Sequence, residues 1–104
     1  MKLNKAAVIA GLPDGWELQY DGDIILYQMG DAAVQHEFSG NNLISISHFL
    51  EGELHRDPVN GPAYIWWVGD QVYEKYFFAG LPAASPAGHY GVVKKDDGSV
   101  LLTY

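Results

Sequence analysis

The chain has 104 residues, no cysteine and a formal net charge of -7 at pH 7, with 48% hydrophobic and 13% aromatic residues. This length corresponds to one domain, residues 1–104, and the apolar content is too high for a disordered acidic chain. The lack of cysteine excludes disulfides and thiolate metal sites, so packing must stabilise the fold.

The first predicted element is a short helix over residues 3–10. Asn4 lies near its start, Gly11 is suited to end it, and Pro13 follows. The apolar run 6–10 is too short for a secretory signal or a membrane span. We therefore expect a soluble protein.

Alternating apolar and polar residues then predict β-strands. In the first, Trp16, Leu18 and Tyr20 alternate with polar residues, so we expect these three to be buried and the residues between them to face solvent. Later strands are predicted where β-branched and aromatic residues dominate. They are residues 23–28, 34–38, 43–49, 64–68, 72–78, 92–95 and 100–104. The glycine- and proline-containing segments 55–62 and 80–88 predict loops.

Glycines recur at a regular spacing. Gly11, Gly40, Gly69 and Gly98 follow one another at 29-residue intervals, and two further columns run in parallel with them. Gly40, Gly69 and Gly98 adjoin Asn, Asp or Ser between apolar runs, which is the turn chemistry of hairpins. The further columns are Gly22, Gly52 and Gly80, and Gly30, Gly61 and Gly88.

The period predicts a repeated hairpin with units at about 11–39, 40–68, 69–97 and 98–104. The predicted fold class is all-β: an antiparallel meander of three to four repeated β-hairpins with a short N-terminal helix. We expect the sheet to curl or pair so that it buries its aromatic face.

One segment resembles a known repeat. Residues 52–57 read Gly-Glu-Leu-His-Arg-Asp, residues 60–63 read Asn-Gly-Pro-Ala, and Gly69, Tyr73 and the sequence Gly-Leu-Pro at 80–82 follow. Over residues 52–82 the chain is similar to the MORN-like β-hairpin repeats of small phage and viral proteins. It departs from that pattern between its Arg-Asp and Gly-Pro-Ala elements, and the next unit lacks the His-Arg pair. The resemblance implies a repeated β-hairpin that serves as a scaffold, and no particular activity.

Acidic residues dominate the first half. Between Lys5 and Arg56 there is no lysine or arginine. The negative electrostatic field of this acidic half repels nucleic acid and anionic membranes and attracts basic partners. It is also compatible with a role in solubility alone. The carboxylates in this interval are Asp14, Glu17, Asp21, Asp23, Asp31, Glu37, Glu51 and Glu53.

The segment 64–78 is rich in aromatic residues. Adjacent Trp66 and Trp67 in one strand must point to opposite faces, so both faces of this hairpin are apolar. The faces are either buried between layers or exposed to a partner. With the acidic field, this segment supplies the candidate partner-binding residues. They are Asp14, Glu17, Asp21, Asp23, Asp31, Glu37, Trp66, Trp67, Tyr73 and Tyr76.

The sequence predicts no catalytic or metal site. The four histidines lack ligand spacing, so we expect His36 and His48 to be half-buried strand residues with hydrogen-bond partners and His55 to bond loop carbonyls. Asp-Gly-Asp at 21–23 fits a hairpin turn better than a calcium loop. No nucleophile elbow, phosphate-binding loop or dinucleotide fingerprint occurs. We expect no enzyme activity, cofactor or metal.

The predicted function is that of a small acidic, non-enzymatic inhibitor that binds a basic protein. It would block a basic groove of a target protein that handles nucleic acid. We expect it to act in the manner of phage anti-defence proteins, a class that includes anti-CRISPR proteins. We expect it in the cytoplasm of a bacterial host cell, without affinity for nucleic acid or membrane, as a monomer or a homodimer. Alternatives are a small-molecule or nucleotide binder, a phage structural or assembly protein that donates residues 101–104 as an edge strand, and a toxin immunity protein.

Overall fold

The computed structural model describes residues 3–104, which form mainly antiparallel β-structure. A single turn of 3-10 helix spans Pro58–Asn60. The elements are α1 (Lys5–Ala10), β1 (Glu17–Asp21), β2 (Ile24–Met29), β3 (Ala32–Ser39), β4 (Asn42–Leu50), β5 (Glu53–Leu54), β6 (Tyr64–Val68), β7 (Gln71–Lys75), β8 (Phe77–Phe78), β9 (Leu81–Pro82), β10 (Gly91–Lys95) and β11 (Val100–Thr103).

The main sheet is an antiparallel meander, as predicted. Its strands follow the order β1-β2-β3-β4-β6-β7-β10-β11, while β5 pairs with the end of β4 and β8 forms a separate hairpin with β9. The predicted strand 72–78 is broken at Tyr76 into β7 and β8, and β9 lies within a segment predicted to be a loop. The all-β, antiparallel fold class is thus correct.

The predicted N-terminal helix is confirmed as α1. The Asn4 side chain accepts a hydrogen bond from the Ala7 N–H at 2.8 Å, which caps the first turn, and Gly11 ends the helix. Val8 is 1% exposed, and its carbonyl oxygen accepts a hydrogen bond from the Tyr27 hydroxyl on β2. Within residues 3–104, no helix is long and apolar enough to cross a membrane.

Two faces of the sheet can be distinguished from the strand register. Cross-strand partners project to the same side of a sheet, and successive residues alternate. We call the side of Tyr27, on which α1 packs, the helix face, and the opposite side the distal face. Leu18 and Val34, which pair with Tyr27, therefore lie on the helix face, and Glu17 and Gln28 lie on the distal face.

The hydrophobic core lies between the helix face and α1. Its buried members come from α1, β2, β3 and β4, and Trp16 and Trp67 pack against it while remaining partly exposed. This buried cluster therefore belongs to the first half of the chain, whereas Ala63, Val92 and Val93 of the second half are buried outside it. Its buried residues are Val8, Ile25, Tyr27, Phe38 and Leu43.

The predicted burial of Leu18 and Tyr20 is wrong. Both lie on the helix face, but they are 36% and 53% exposed. The reason is their position: β1 is the first strand of the sheet, whereas α1 packs on β2. Trp16 precedes the strand and is partly buried against the core.

The glycine turns are as predicted at three positions. Gly40, Gly69 and Gly98 have positive φ, of 62°, 60° and 91°, and each lies between consecutive antiparallel strands. Glycine adopts this region without the steric cost of a Cβ atom. Gly11 shares their spacing but caps α1 instead.

Candidate partner-binding face

Three of the six candidate acidic side chains project from the distal face. Glu17 and Asp21 alternate with Gln19 along β1, and Glu37 lies on β3, opposite Ser45 of β4. All residues of β1 are exposed. Strands β1 and β3 therefore place an acidic rim, defined as Glu17, Asp21 and Glu37, on one side of the molecule.

The other three acidic candidates lie in turns. Asp14 precedes β1, and Asp31 lies in the turn between β2 and β3. Asp23, in the turn between β1 and β2, forms an ion pair with Lys5 of α1, with Nζ and Oδ1 3.0 Å apart. Lys5 thus offsets the negative charge of Asp23, so Asp23 is less available to a partner than Glu17 or Asp21.

Aromatic rings stack on the distal face of the β6–β7 hairpin. The centroid of Trp66 lies 4.8 Å from that of Tyr64 and 5.2 Å from that of Tyr73, with interplanar angles of 26° and 12°. The Lys75 ammonium lies 5.7 Å from the Trp66 centroid, within the range of a cation–π contact. We call Tyr64, Trp66 and Tyr73 the aromatic stack, and all three are half-buried.

Small side chains separate the acidic rim from the aromatic stack. Ser45 and Ser47 of β4 are only 6% and 7% exposed, and they pair with Trp66 and Tyr64. Ala33 of β3 lies on the same face. Four strand spacings separate β1 from β6, which is roughly 19 Å. The distal face therefore carries the acidic rim on β1 and β3 and the aromatic stack on β6 and β7, with Ser45 and Ser47 of β4 between Glu37 and Trp66.

Trp67 and Tyr76 do not belong to this surface. Trp67 pairs with Val72 on the helix face and packs against the core. Burial raises the pKa of Tyr76, and the neighbouring Glu74 carboxylate adds to this rise. Tyr76 itself lies between β7 and β8, outside the paired residues of both strands. The structure thus separates these two candidates from Trp66 and Tyr73.

Two surface depressions adjoin the β1–β2 hairpin. One, of about 330 Å³, is lined by Gln19, Tyr20, Asp21, Ile24 and Leu26. The other, of about 250 Å³, lies near the opposite end of β1. Its lining residues are Gly15, Glu17, Gln28, Met29 and Gly30. Both mix polar and apolar atoms, so the acidic edge of the sheet also offers shallow contact sites for side chains of a partner.

The histidines occupy structural positions. His36 is 5% exposed, and its ring interacts with the Ile25 backbone by a hydrogen bond, as expected of a strand histidine with a partner, while within residues 3–104 its Nδ1 atom has none. Burial lowers the pKa of His36, and burial, with smaller contributions from Arg56 and His36, lowers the pKa of His48 to about 4. Both side chains are therefore neutral near pH 7.

His55 fixes a turn, but not in the predicted way. Its Nδ1 atom accepts a hydrogen bond from the Ala79 N–H at 2.9 Å, and its ring contacts Phe78. Sequence reasoning expected bonds to loop carbonyls. Ala79 has φ of 51°, so the histidine stabilises a left-handed residue in the β8–β9 turn.

Among the described residues, no group of three His, Asp or Glu side chains lies close enough to hold a metal ion. Sequence reasoning placed Tyr64 in the aromatic segment but did not identify Ser45 or Ser47 as part of the site. A signal was present, because Ser45 and Ser47 recur with period two between apolar residues and mark one face of β4 as small and polar.

Comparisons with known proteins returned no match: no family model, no curated protein and no solved structure is similar to this chain.

Proposed function

We propose that the protein is a non-enzymatic inhibitor that binds a basic protein through the distal face. The supporting observation is that Glu17, Asp21 and Glu37 project from the same side of the sheet as Trp66 and Tyr73. A surface that is acidic on one side and aromatic on the other matches a protein groove lined by Lys or Arg with an apolar margin.

The two parts of the surface have different roles in this proposal. The acidic rim attracts the basic partner and raises the association rate, because long-range charge steers the encounter. The aromatic stack supplies buried contact area and slows dissociation. A bound acidic protein excludes nucleic acid from the same groove by both sterics and charge, which is the inhibitory step.

The test combines partner capture with charge reversal. Wild-type protein is immobilised and used to capture proteins from a bacterial lysate at low and at high salt. We expect a basic, nucleic-acid-binding protein to be retained at low salt, and the recaptured complex to exclude labelled DNA or RNA. The variant Glu17→Lys/Asp21→Lys should lose this partner, since both carboxylates are exposed on the distal face.

A matched control carries the same change in charge elsewhere. Asp70 and Asp96 are exposed and lie in turns of the second half of the chain. Asp70→Lys/Asp96→Lys should retain the partner, because these residues lie away from the acidic rim. Equal retention by the two variants would contradict the proposal, as would an isolated partner that still binds nucleic acid in the complex.

We also propose that the sheet is built from a repeated hairpin unit, in which residues 40–68 and 69–97 correspond. The turn Glu51-Gly52 after β4 has φ values of 52° and 80°, and the turn Ala79-Gly80 after β8 has 51° and 80°. Left-handed conformations at both central residues are typical of type I′ hairpins. Non-glycine residues seldom adopt them, so the agreement supports a common unit.

Backbone hydrogen bonds support the same correspondence. The His48 N–H donates to the Ala63 carbonyl at 2.8 Å, and the Tyr76 N–H donates to the Tyr90 carbonyl at 3.1 Å. In the same way, the N–H groups of His55 and Ala83 donate back to the carbonyls of His48 and Tyr76, at 2.9 and 3.0 Å. Tyr76 therefore occupies the position of His48 in the next unit.

A further inference from the structure

The backbone of β1 is suited to receive another strand. The register of β1 with β2 runs without a shift from Glu17 to Asp21, which faces Ile24 across a two-residue turn. The pair that flanks such a turn exchanges hydrogen bonds, and bonded and non-bonded pairs then alternate. The N–H and C=O groups of Leu18 and Tyr20 therefore point away from β2. Within residues 3–104 these outward groups have no backbone partner.

The side chains along this edge define what a pairing strand would meet. On the distal face it would meet Glu17, Gln19 and Asp21, and on the helix face it would meet Leu18 and Tyr20, which are 36% and 53% exposed. A strand with basic residues on one side and apolar residues on the other is complementary to both. The shallow depressions beside β1 add contact surface for its side chains.

We infer that β1 binds an extended segment of the basic partner as an added antiparallel strand. Its Lys or Arg side chains lie opposite Glu17 and Asp21, and its apolar side chains lie opposite Leu18 and Tyr20. This inference rests on the proposed function and specifies the partner segment: main-chain hydrogen bonds supply affinity, and the alternating pattern supplies specificity.

A second copy of this chain is a poorer occupant of the edge. In an antiparallel pair of two β1 strands centred on Gln19, Glu17 of one copy would lie directly opposite Asp21 of the other, and like charges in this position repel. Strand β11 of a second copy has no charged residue between Val100 and Thr103, so it would leave both carboxylates without a counter-charge. Charge complementarity therefore selects a basic segment from another protein.

The inference can be tested with a designed peptide, the capped sequence Thr-Arg-Val-Thr-Val-Arg-Thr. Its valines are placed opposite Leu18 and Tyr20, so their N–H groups face β1, while those of Arg and the central Thr face away. One derivative carries N-methyl groups on both valines. The matched derivative carries them on the central Thr and one Arg, with the same charge and composition. Binding is measured by chemical-shift titration and by amide exchange of the labelled protein.

We expect the valine-methylated peptide to bind at least about tenfold more weakly than the matched derivative, since it loses two backbone hydrogen bonds. The unmodified peptide should slow amide exchange at Leu18 and Tyr20. Leu18→Pro, which removes an outward N–H without breaking the β1–β2 ladder, should weaken binding. Thr103→Pro makes the same change on the other edge of the sheet and should not affect it.

Two results would overturn the inference. The first is equal affinity of the two methylated peptides. If binding still weakened with salt and with Glu17→Lys/Asp21→Lys, strand addition would be excluded while the distal-face proposal stood. If that charge variant instead behaved like its control toward the captured partner, the distal-face proposal itself would fail. The second is a dimer in sedimentation with the Leu18 and Tyr20 amides already protected, which would assign the edge to a second copy.

Discussion

The two halves of the sheet are stabilised in different ways. In the first half, α1 forms a second layer over β2, and the core members Val8, Ile25 and Phe38 are 0–2% exposed. In the second half, β6 and β7 are half-buried except at the exposed Val68, Val92 and Val93 of β10 are each 8% exposed, and Val100 and Leu102 of β11 are more than half exposed. The largest fully buried side chains, those of Ile25, Leu43 and Val8, thus come from the half of the sheet that α1 covers. Elsewhere, strand pairing, ring stacking and an ion pair stabilise the sheet.

The largest expected effect on stability comes from replacing one phenylalanine in each half with alanine. Phe38 is 2% exposed in the core, and Phe78 is 51% exposed on β8. Phe38→Ala should lower the free energy of unfolding by about 3–5 kcal/mol, because it leaves a cavity in a packed interior. Phe78→Ala should cost much less, and urea unfolding measures both. Similar losses in the two variants would show that the halves do not differ in packing.

The folding stability of the protein should depend on pH through His48, which lies on β4 where the two halves of the sheet meet. The pKa of His48 on β4 is lowered from 6.5 to about 4, mainly by burial. The unfolded chain therefore binds a proton at higher pH than the folded chain does, so stability falls as pH drops from 6.5 to 4 and this residue adds nothing further below that. A shift of this size is on the order of 3 kcal/mol.

Replacing the histidine tests that contribution. His48→Gln cannot titrate, so its free energy of unfolding should change less than that of the wild type between pH 7 and pH 4.5. The measurement is urea unfolding at several pH values within that window. If both proteins lost stability in parallel, His48 would not be the residue that couples folding to pH.

The aromatic stack should contribute a moderate amount to stability in the second half. Trp66 is half-buried between Tyr64 and Tyr73, so Trp66→Ala should destabilise by about 2 kcal/mol, less than Phe38→Ala. A double-mutant cycle with Tyr73→Ala should give a coupling of about 0.5–1.5 kcal/mol. Strictly additive losses would mean that the two rings adjoin without stabilising each other.

Local pattern predicted much of this fold because its determinants are local. The cap at Asn4, the stop at Gly11 and the turn at Gly69 each depend on a few neighbouring residues, and all were predicted correctly. The bounds of β6 were also predicted without error. Alternation established that Trp66 and Trp67 face opposite ways, which the strand register confirms.

Position within the sheet could not be predicted from the same patterns. Leu18 alternates with polar residues like any half-buried strand residue, but its burial depends on whether α1 reaches an edge strand. The contact between His55 and the Ala79 turn joins residues 24 apart in sequence, so no local signal reveals it. The stacking of Tyr64 on Trp66 depends on ring orientation. For the candidate site, the sequence supplied the residues, and the topology decided which of them share a face.

The smallest expected effect concerns two ion pairs among residues 3–104, one in each half. Glu74 and Lys94 lie on neighbouring strands of the second half, with Nζ and Oε1 3.1 Å apart and side chains 14% and 33% exposed. Asp23, the partner of Lys5 in the first half, is 57% exposed. Since partial burial reduces screening, a cycle of Glu74→Gln and Lys94→Met should give a coupling of about 0.5–1 kcal/mol at low salt. The corresponding cycle at Lys5 and Asp23 should give less, and both couplings should shrink in high salt. A stronger coupling at Lys5 and Asp23 would contradict the expectation that the more buried pair contributes more.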